Sequence, residues 1–245
     1  MTRSLPPFRR IDWMKRDISV ERRDDGIIVI RSNVPLGDYE RHLGRFLDHW
    51  AKETPDNVWL AQRAGPDRQW RKVTFAQAKR IVDSLTQAIL DLGLTPERPV
   101  AILSGNSIEH ALMTFAAMQA GVPAAPISQA YSLMSDDHLK LKTIFAHIHP
   151  GLVLVQDGPT FDRALAALDL KDATIVHVAR PSATRASRAF ADLAATPATS
   201  AVAAAEQAIT PDTIGKLLFT SGSTGMPKAV VNTQRMMCAN VQMIR

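Results

Sequence analysis

Along the chain, apolar side chains recur first with helical spacing. Leu43, Phe46, Leu47 and Trp50 fall at i, i+3, i+4 and i+7, and the spacing predicts a helix over about 38–52 with one apolar face. Before it, residues 1–37 read as an extended arm with one strand at 27–30. Short runs at 58–61 and 69–73 read as strands. Thr74 then stands three residues before Gln77, a capping-box pattern opening a helix that turns Ile81, Leu85, Ala88 and Leu92 inward and stops at Gly93. From residue 100 onward four-residue apolar runs alternate with helical patterns. Strand 100–103 precedes a helix over 108–120 closed by Gly121; strand 122–127 precedes a helix over 136–148. Strand 152–155, a helix over 159–169 and strand 174–178 follow. Such alternation predicts an α/β fold with a mostly parallel sheet flanked by helices. Residues 180–205, with Pro181, Pro197, three arginines and many small side chains, read as a surface excursion, with an alanine-rich helix near 198–208.

The pattern then gives two strands, 217–219 and 229–231, both read as buried. Between them lie glycines, hydroxyls and a lysine. Gly222 and Gly225 can turn successive N–H groups toward one anion, because they lack a Cβ and tolerate positive φ. Thr220, Ser221, Ser223 and Thr224 add hydroxyl donors, Lys228 adds a compact positive charge, and Pro227 stiffens the exit. The chemistry predicted is a polyphosphate cradle; composition alone is also compatible with a plain flexible hairpin loop. It is not a Walker loop, since Met226 and Pro227 separate Gly225 from Lys228.

The string Phe219-Thr-Ser-Gly-Ser-Thr-Gly-Met-Pro-Lys228 resembles the phosphate loop of the adenylate-forming enzymes, which include acyl-CoA synthetases, firefly luciferase and peptide-synthetase adenylation domains. The resemblance continues upstream in Val73-Thr-Phe-Ala-Gln77, in Val100-Ala-Ile-Leu-Ser-Gly-Asn-Ser-Ile-Glu109 and in Met118-Gln-Ala-Gly-Val-Pro-Ala-Ala-Pro-Ile127, so that residues 40–245 fit in register. Asn232-Thr-Gln-Arg-Met236 and Ile127-Ser-Gln-Ala-Tyr-Ser-Leu-Met-Ser-Asp-Asp-His-Leu-Lys140 look like the feruloyl-CoA synthase type. The chain departs from many relatives at Ala229, where they carry glycine, and at Gln234, where they carry a histidine that often borders the acyl pocket.

The resemblance implies an ATP-dependent acid–CoA ligase using ATP, Mg²⁺ and CoA on a small carboxylic acid, ferulate or a related hydroxycinnamate. Thr220, Ser221, Gly222, Ser223, Thr224, Gly225 and Lys228 would hold the β- and γ-phosphates, with Lys228 also acting in catalysis. Alternatives are another aryl- or medium-chain acyl-CoA synthetase, or a non-catalytic binding module. In the family the adenine, ribose and magnesium contacts and the C-terminal catalytic lysine follow the phosphate loop. Residues 38–245 are therefore expected to be an incomplete adenylate-forming N-terminal domain, with its C-terminal part and the small C-terminal domain absent. Such a fragment is expected to be inactive alone.

Composition narrows the remaining possibilities. With 46% hydrophobic residues the chain can bury a substantial core. The net charge of +5 is dispersed, with no long block of one sign, which argues against a nucleic-acid surface. No apolar run is long enough for a membrane span. The single cysteine, Cys238, lies in an apolar helical run where packing is expected, and it suits a reducing cytoplasm. The arginine-bearing N-terminus lacks the apolar segment of a secretory signal. His147-Ile-His149 has the look of a metal site but sits at a helix end, where imidazoles cap carbonyls, so no metal ligands are assigned. Asp136 and Asp137 are read as first-turn carboxylates of the 136–148 helix, favoured by its dipole. The tryptophans, Trp13, Trp50, Trp59 and Trp70, are read as core or arm anchors.

Overall fold

A computed structural model describes residues 17–220 and 225–244. The chain divides into two compact units, Met1–Asp38 and Tyr39–Arg245. The first contains an antiparallel hairpin of β1 (Ile18–Arg22) and β2 (Ile28–Ser32). The sequence reading gave one strand here, not two. Strand β1 alternates Ile18, Ser19, Val20 and Glu21, a period-2 pattern too short to stand out, and Glu21 meets Arg31 across the pair at 2.8 Å.

In the second unit, helix α1 (Gly44–Glu53) begins later than predicted. Its entry is set from a distance: the Leu43 N–H donates to the side-chain carbonyl of Gln234 at 3.1 Å, and no local side chain caps the helix. Strands β3 (Val58–Ala64) and β4 (Gln69–Thr74) form their own antiparallel pair. Trp59 stacks on Phe75 and meets Phe115 edge-on, anchoring this pair. Trp70 lies beneath the Arg63 guanidinium, and Trp13 falls outside the described residues. Helix α2 (Phe75–Asp91) starts with the predicted capping box: Thr74 Oγ1 accepts from Gln77 N, and Gln77 Oε1 accepts from Thr74 N.

The main sheet follows: β5 (Val100–Leu103), α3 (Ile108–Gln119), β6 (Ala124–Pro126), α4 (Gln129–Leu133), α5 (Leu139–Ile148), β7 (Leu152–Val155), α6 (Gly158–Ala167) and β8 (Thr174–His177). After these come β9 (Arg188–Ala189), α7 (Phe190–Ala194), α8 (Ser200–Ala208), β10 (Ile214–Thr220), β11 (Lys228–Thr233) and α9 (Gln234–Ile244). Seven strands join in the order β11-β10-β6-β5-β7-β8-β9. All neighbours are parallel except the β10–β11 hairpin. Helices α2 and α3 end where predicted, with Gly93 and Gly121 in the left-handed region.

Every residue of β5 and β7 is fully buried, and alternate side chains feed two cores. Val100, Ile102, Leu152 and Leu154 pack with α2 and α3; Ala101, Leu103, Val153 and Val155 pack with α5 and α6. Burying each larger side chain contributes on the order of 1.5–3 kcal/mol.

Three further expectations change. Helix α5 starts at Leu139, not 136, because His138 takes a left-handed conformation (φ 52°). Asp137 therefore stands ahead of the helix, where its Oδ1 accepts from Leu139 N at 3.0 Å, while Asp136 reaches Arg163 at 3.1 Å. The 180–205 stretch is not only a surface excursion: β9 extends the sheet, and Phe190 and Leu193 of α7 enter the α2–α3 core. Strands β10 and β11 are not buried runs. Strand β11 pairs only with β10 among the described residues, and Leu218, Val230 and Val231 are exposed.

Candidate functional site

The two strands of the β10–β11 hairpin bring Thr220 and Lys228 opposite one another at its turn end. Thr220 Oγ1 donates to the Lys228 carbonyl at 3.4 Å. Ser221, Gly222, Ser223 and Thr224 lie outside the described residues; Gly225, Met226 and Pro227 complete the turn. Among the described residues nothing lies within 4 Å of where a Gly225 Cβ would stand. The side chains of Thr220 and Lys228 are exposed, and Lys228 forms no ion pair among the described residues. The arrangement leaves an ammonium and a hydroxyl at the mouth of a glycine-containing turn, the elements a phosphate needs.

Sheet topology decides which end of the fold this is. Strand β10 runs parallel to β6, with Lys216 beside Ala124. Thr220 is therefore at the carboxyl end of the parallel strands, level with the segments leaving β5, β6 and β7. The connection from β5 crosses to β6 on one side, and that from β7 crosses to β8 on the other. A crevice at such a reversal is where open α/β sheets bind ligands.

Polar groups that the sequence reading did not single out line that edge. Ser104, just past β5, has its Oγ 3.0 Å from His110 Nδ1 and 3.0 Å from the Gly105 carbonyl. Burial holds the His110 imidazole below its ordinary value. Gln156, just past β7, has a buried side-chain oxygen with no hydrogen-bond partner. Away from that edge, level with the starts of β5 and β6, Lys216 on β10 is half-buried without an ion pair among the described residues, and burial lowers its ammonium. Their only sequence signal was position: a polar residue directly after, or a lysine inside, an apolar run.

The hairpin is fixed at its base. Gln234 is 1% exposed and spans to Leu43, so the residue that stands in place of the relatives' histidine serves as a structural fastener here. Arg235 makes two hydrogen bonds to Asp212, at 3.0 and 3.1 Å, holding that carboxyl below its usual range. Cys238 is fully buried, and burial followed by the nearby Glu40 charge pushes its thiol up to about 11, which suits packing and not nucleophilic attack. His147 Nδ1 lies 2.7 Å from the Thr143 carbonyl within α5, and His149 closes that helix. Among the described residues no three His, Cys, Asp or Glu side chains gather in a way that could hold a metal ion, and no helix is long and apolar enough to cross a membrane.

Phosphinothricin tripeptide synthetase PhsC of Streptomyces viridochromogenes is 28% identical over 228 residues, covering 91% of this chain and 18% of its own length. The mitochondrial medium-chain acyl-CoA ligase ACSF2 of Bos taurus is 29% identical over 109 residues, 44% of this chain and 17% of that protein. The chain thus spans less than a fifth of either relative. Among solved structures, VinN in complex with L-aspartate superimposes with a TM-score of 0.64 at 18% identity, over 86% of this chain and 48% of VinN, a likeness of fold. The pattern of the AMP-binding enzyme family matches residues 47–245, and the chain belongs to that family of ATP-using, adenylate-forming ligases.

Proposed function

We propose that this chain is part of an acid–CoA ligase that makes an acyl-adenylate from ATP and a hydroxycinnamate such as ferulate, then passes the acyl group to CoA. The observation that carries the reading is the pairing of Thr220 with Lys228 at the turn end of a hairpin, on the carboxyl edge of the parallel sheet. In this reading residues 1–37 are an arm and 38–245 the opening part of the adenylate-forming domain. Thr220, Ser221, Gly222, Ser223, Thr224, Gly225 and Lys228 hold the β- and γ-phosphates. The substrate carboxylate oxygen attacks the α-phosphorus, the bond to the β-phosphate oxygen breaks, and pyrophosphate leaves carrying the electron pair. Lys228 neutralises the charge that grows on that leaving group. Mg²⁺ would enter with the nucleotide's phosphates and add to the neutralisation. The CoA sulfur then attacks the acyl carbonyl and AMP departs. The aromatic acid is favoured by the 127–140 and 232–236 segments, which resemble the feruloyl-CoA synthase type. The likeness to a peptide synthetase over 91% of the chain keeps amino-acid adenylation as the competing reading.

The test uses the whole protein that carries these residues, with ATP–pyrophosphate exchange and thioester formation measured separately on ferulate, medium-chain acids and amino acids. Exchange and thioester with ferulate are expected; exchange with an amino acid and no thioester would sink the proposal. Lys228→Met keeps the aliphatic stem and removes the charge. It is expected to slow pyrophosphate exchange by roughly a hundredfold to a thousandfold. Thioester formation from synthetic feruloyl-adenylate, whose pyrophosphate has already left, should remain near wild type. Unchanged pyrophosphate exchange would remove Lys228 from the phosphate site.

A further inference from the structure

Strand β10 carries one lysine that the proposed reaction does not use. Lys216 stands beside Ala124 of β6 on one side and Asn232 of β11 on the other. The register of β10 against β11 shifts between Ile214 and Lys216, and such irregularities re-aim the side chains next to them. From Lys216 onward the pairing is regular. Leu217 and Phe219 pack toward α5 and α6, so Lys216 points to the opposite face of the sheet. There it enters a crevice of about 330 Å³, lined from β10, β11, α9 and Leu43.

The lining sorts into two chemistries. Lys216, Asn232 and Asn240 supply an ammonium and two amides, while Leu43, Met236 and Met237 supply an apolar wall. Asn232 Nδ2 donates to the Val230 carbonyl at 3.0 Å, which uses one of its two amide hydrogens. The Asn240 side chain makes no hydrogen bond among the described residues, and no carboxylate among them pairs with Lys216. One wall is fixed by close approach: a Cβ at Gly215 would collide with Met237 Cε, so α9 rests there against bare backbone. Burial alone holds the Lys216 ammonium below the ordinary lysine value, with no neighbouring charge to offset it.

A half-buried cation without a counter-charge gives up hydration for nothing, and an anion in the crevice restores the balance. Inorganic phosphate would leave the apolar wall unused, whereas an acid with a hydrocarbon body uses both halves of the lining. We propose that this crevice binds a small organic carboxylate, its oxygens on Lys216 Nζ and the amides of Asn232 and Asn240, its hydrocarbon against Leu43, Met236 and Met237. The volume falls at the small end of ligand pockets, which run from about 300 to 1,000 Å³, and suits a short chain or a single ring. Lys216 precedes Thr220 by four residues, about 13 Å of extended strand. The carboxylate held here is therefore not the one presented to the α-phosphorus in the proposed reaction. It bridges β10 to α9 at the root of the hairpin.

The test is methionine-methyl NMR on the whole protein that carries these residues, with hexanoate, hexanol and inorganic phosphate as probes. Neither ATP nor CoA is present, so the result does not depend on the ligase reading. Hexanoate is expected to shift the Met236 and Met237 methyl signals saturably. Hexanol, which forgoes the charge-assisted bond, should bind roughly tenfold to a hundredfold more weakly. Lys216→Met keeps the aliphatic stem, and it should lose affinity for hexanoate by the same factor with no loss for hexanol. Methyl signals that hexanoate leaves unmoved would overturn the site, as they would if another part of the protein fills the crevice. Hexanol binding as tightly as hexanoate would reduce it to an apolar groove, and phosphate acting as strongly would remove the organic acid; either result refutes the proposal. Should Lys216→Met fail to fold, the comparison of hexanoate with hexanol on the wild type decides.

Discussion

Replacing Gln234 by leucine keeps most of its volume and removes the one acceptor that the Leu43 N–H uses. The cost is the desolvation of an abandoned donor, about 1–3 kcal/mol. We expect Gln234→Leu to lower the unfolding free energy measured in urea by that amount and to speed hydrogen exchange at Leu43 and the first turn of α1. Exchange in α2, which has its own capping box, should not change. A variant as stable as wild type would mean that water replaces the bond. At this scale the sequence marks candidate residues and conceals what they touch. Thr220 and Lys228 stand out as candidates because they flank a run of glycines and hydroxyls between two strands. Lys216, His110 and Gln156 are not, because their roles depend on strands that meet only in the folded sheet.

Elements with a local start signal are the ones that pattern alone locates. Thr74 and Ser107 both accept an N–H from three residues on, and α2 and α3 begin where those side chains dictate. Thr74→Ala deletes half of the reciprocal pair and is expected to cost about 1 kcal/mol, read as a lower thermal midpoint. Thr74→Ser should restore most of it. Strands β5 and β7 are also legible, since four apolar residues between turn signals fit a strand buried on both faces. Helices α1 and α5 were misplaced at their starts for the reverse reason. One is capped by a residue at the far end of the chain, and the other follows a left-handed histidine that no local rule favours. Strand β11 was read as buried because its valines resemble those of β7. Exposure follows from its place at the sheet's edge, which is a property of topology.

For the molecule as a whole that edge has a consequence in solution. Among the described residues β11 is paired on one side only, which leaves open backbone groups beside Val230 and Val231, 46% and 44% exposed. Such an edge templates pairing with another strand, and an added charge blunts it. Val230→Lys is expected to reduce concentration-dependent association in sedimentation velocity while leaving the far-ultraviolet dichroism unchanged; equal association in both would exclude this edge as the contact. The order of strands also sets a timetable during synthesis. Strand β6 is made early, yet its outer neighbour β10 begins only at Ile214, and the Leu43–Gln234 bond joins residues 191 positions apart. At a typical ribosomal pace of 5–20 residues per second, that separation corresponds to roughly 10–40 s. Throughout that interval α1 lacks its cap, and β6, which ends 88 residues before β10 begins, stands as an open rim for roughly 4–18 s of it. The β10–β11 hairpin is therefore also the closure of the growing fold, and until it emerges β6 lacks its outer neighbour.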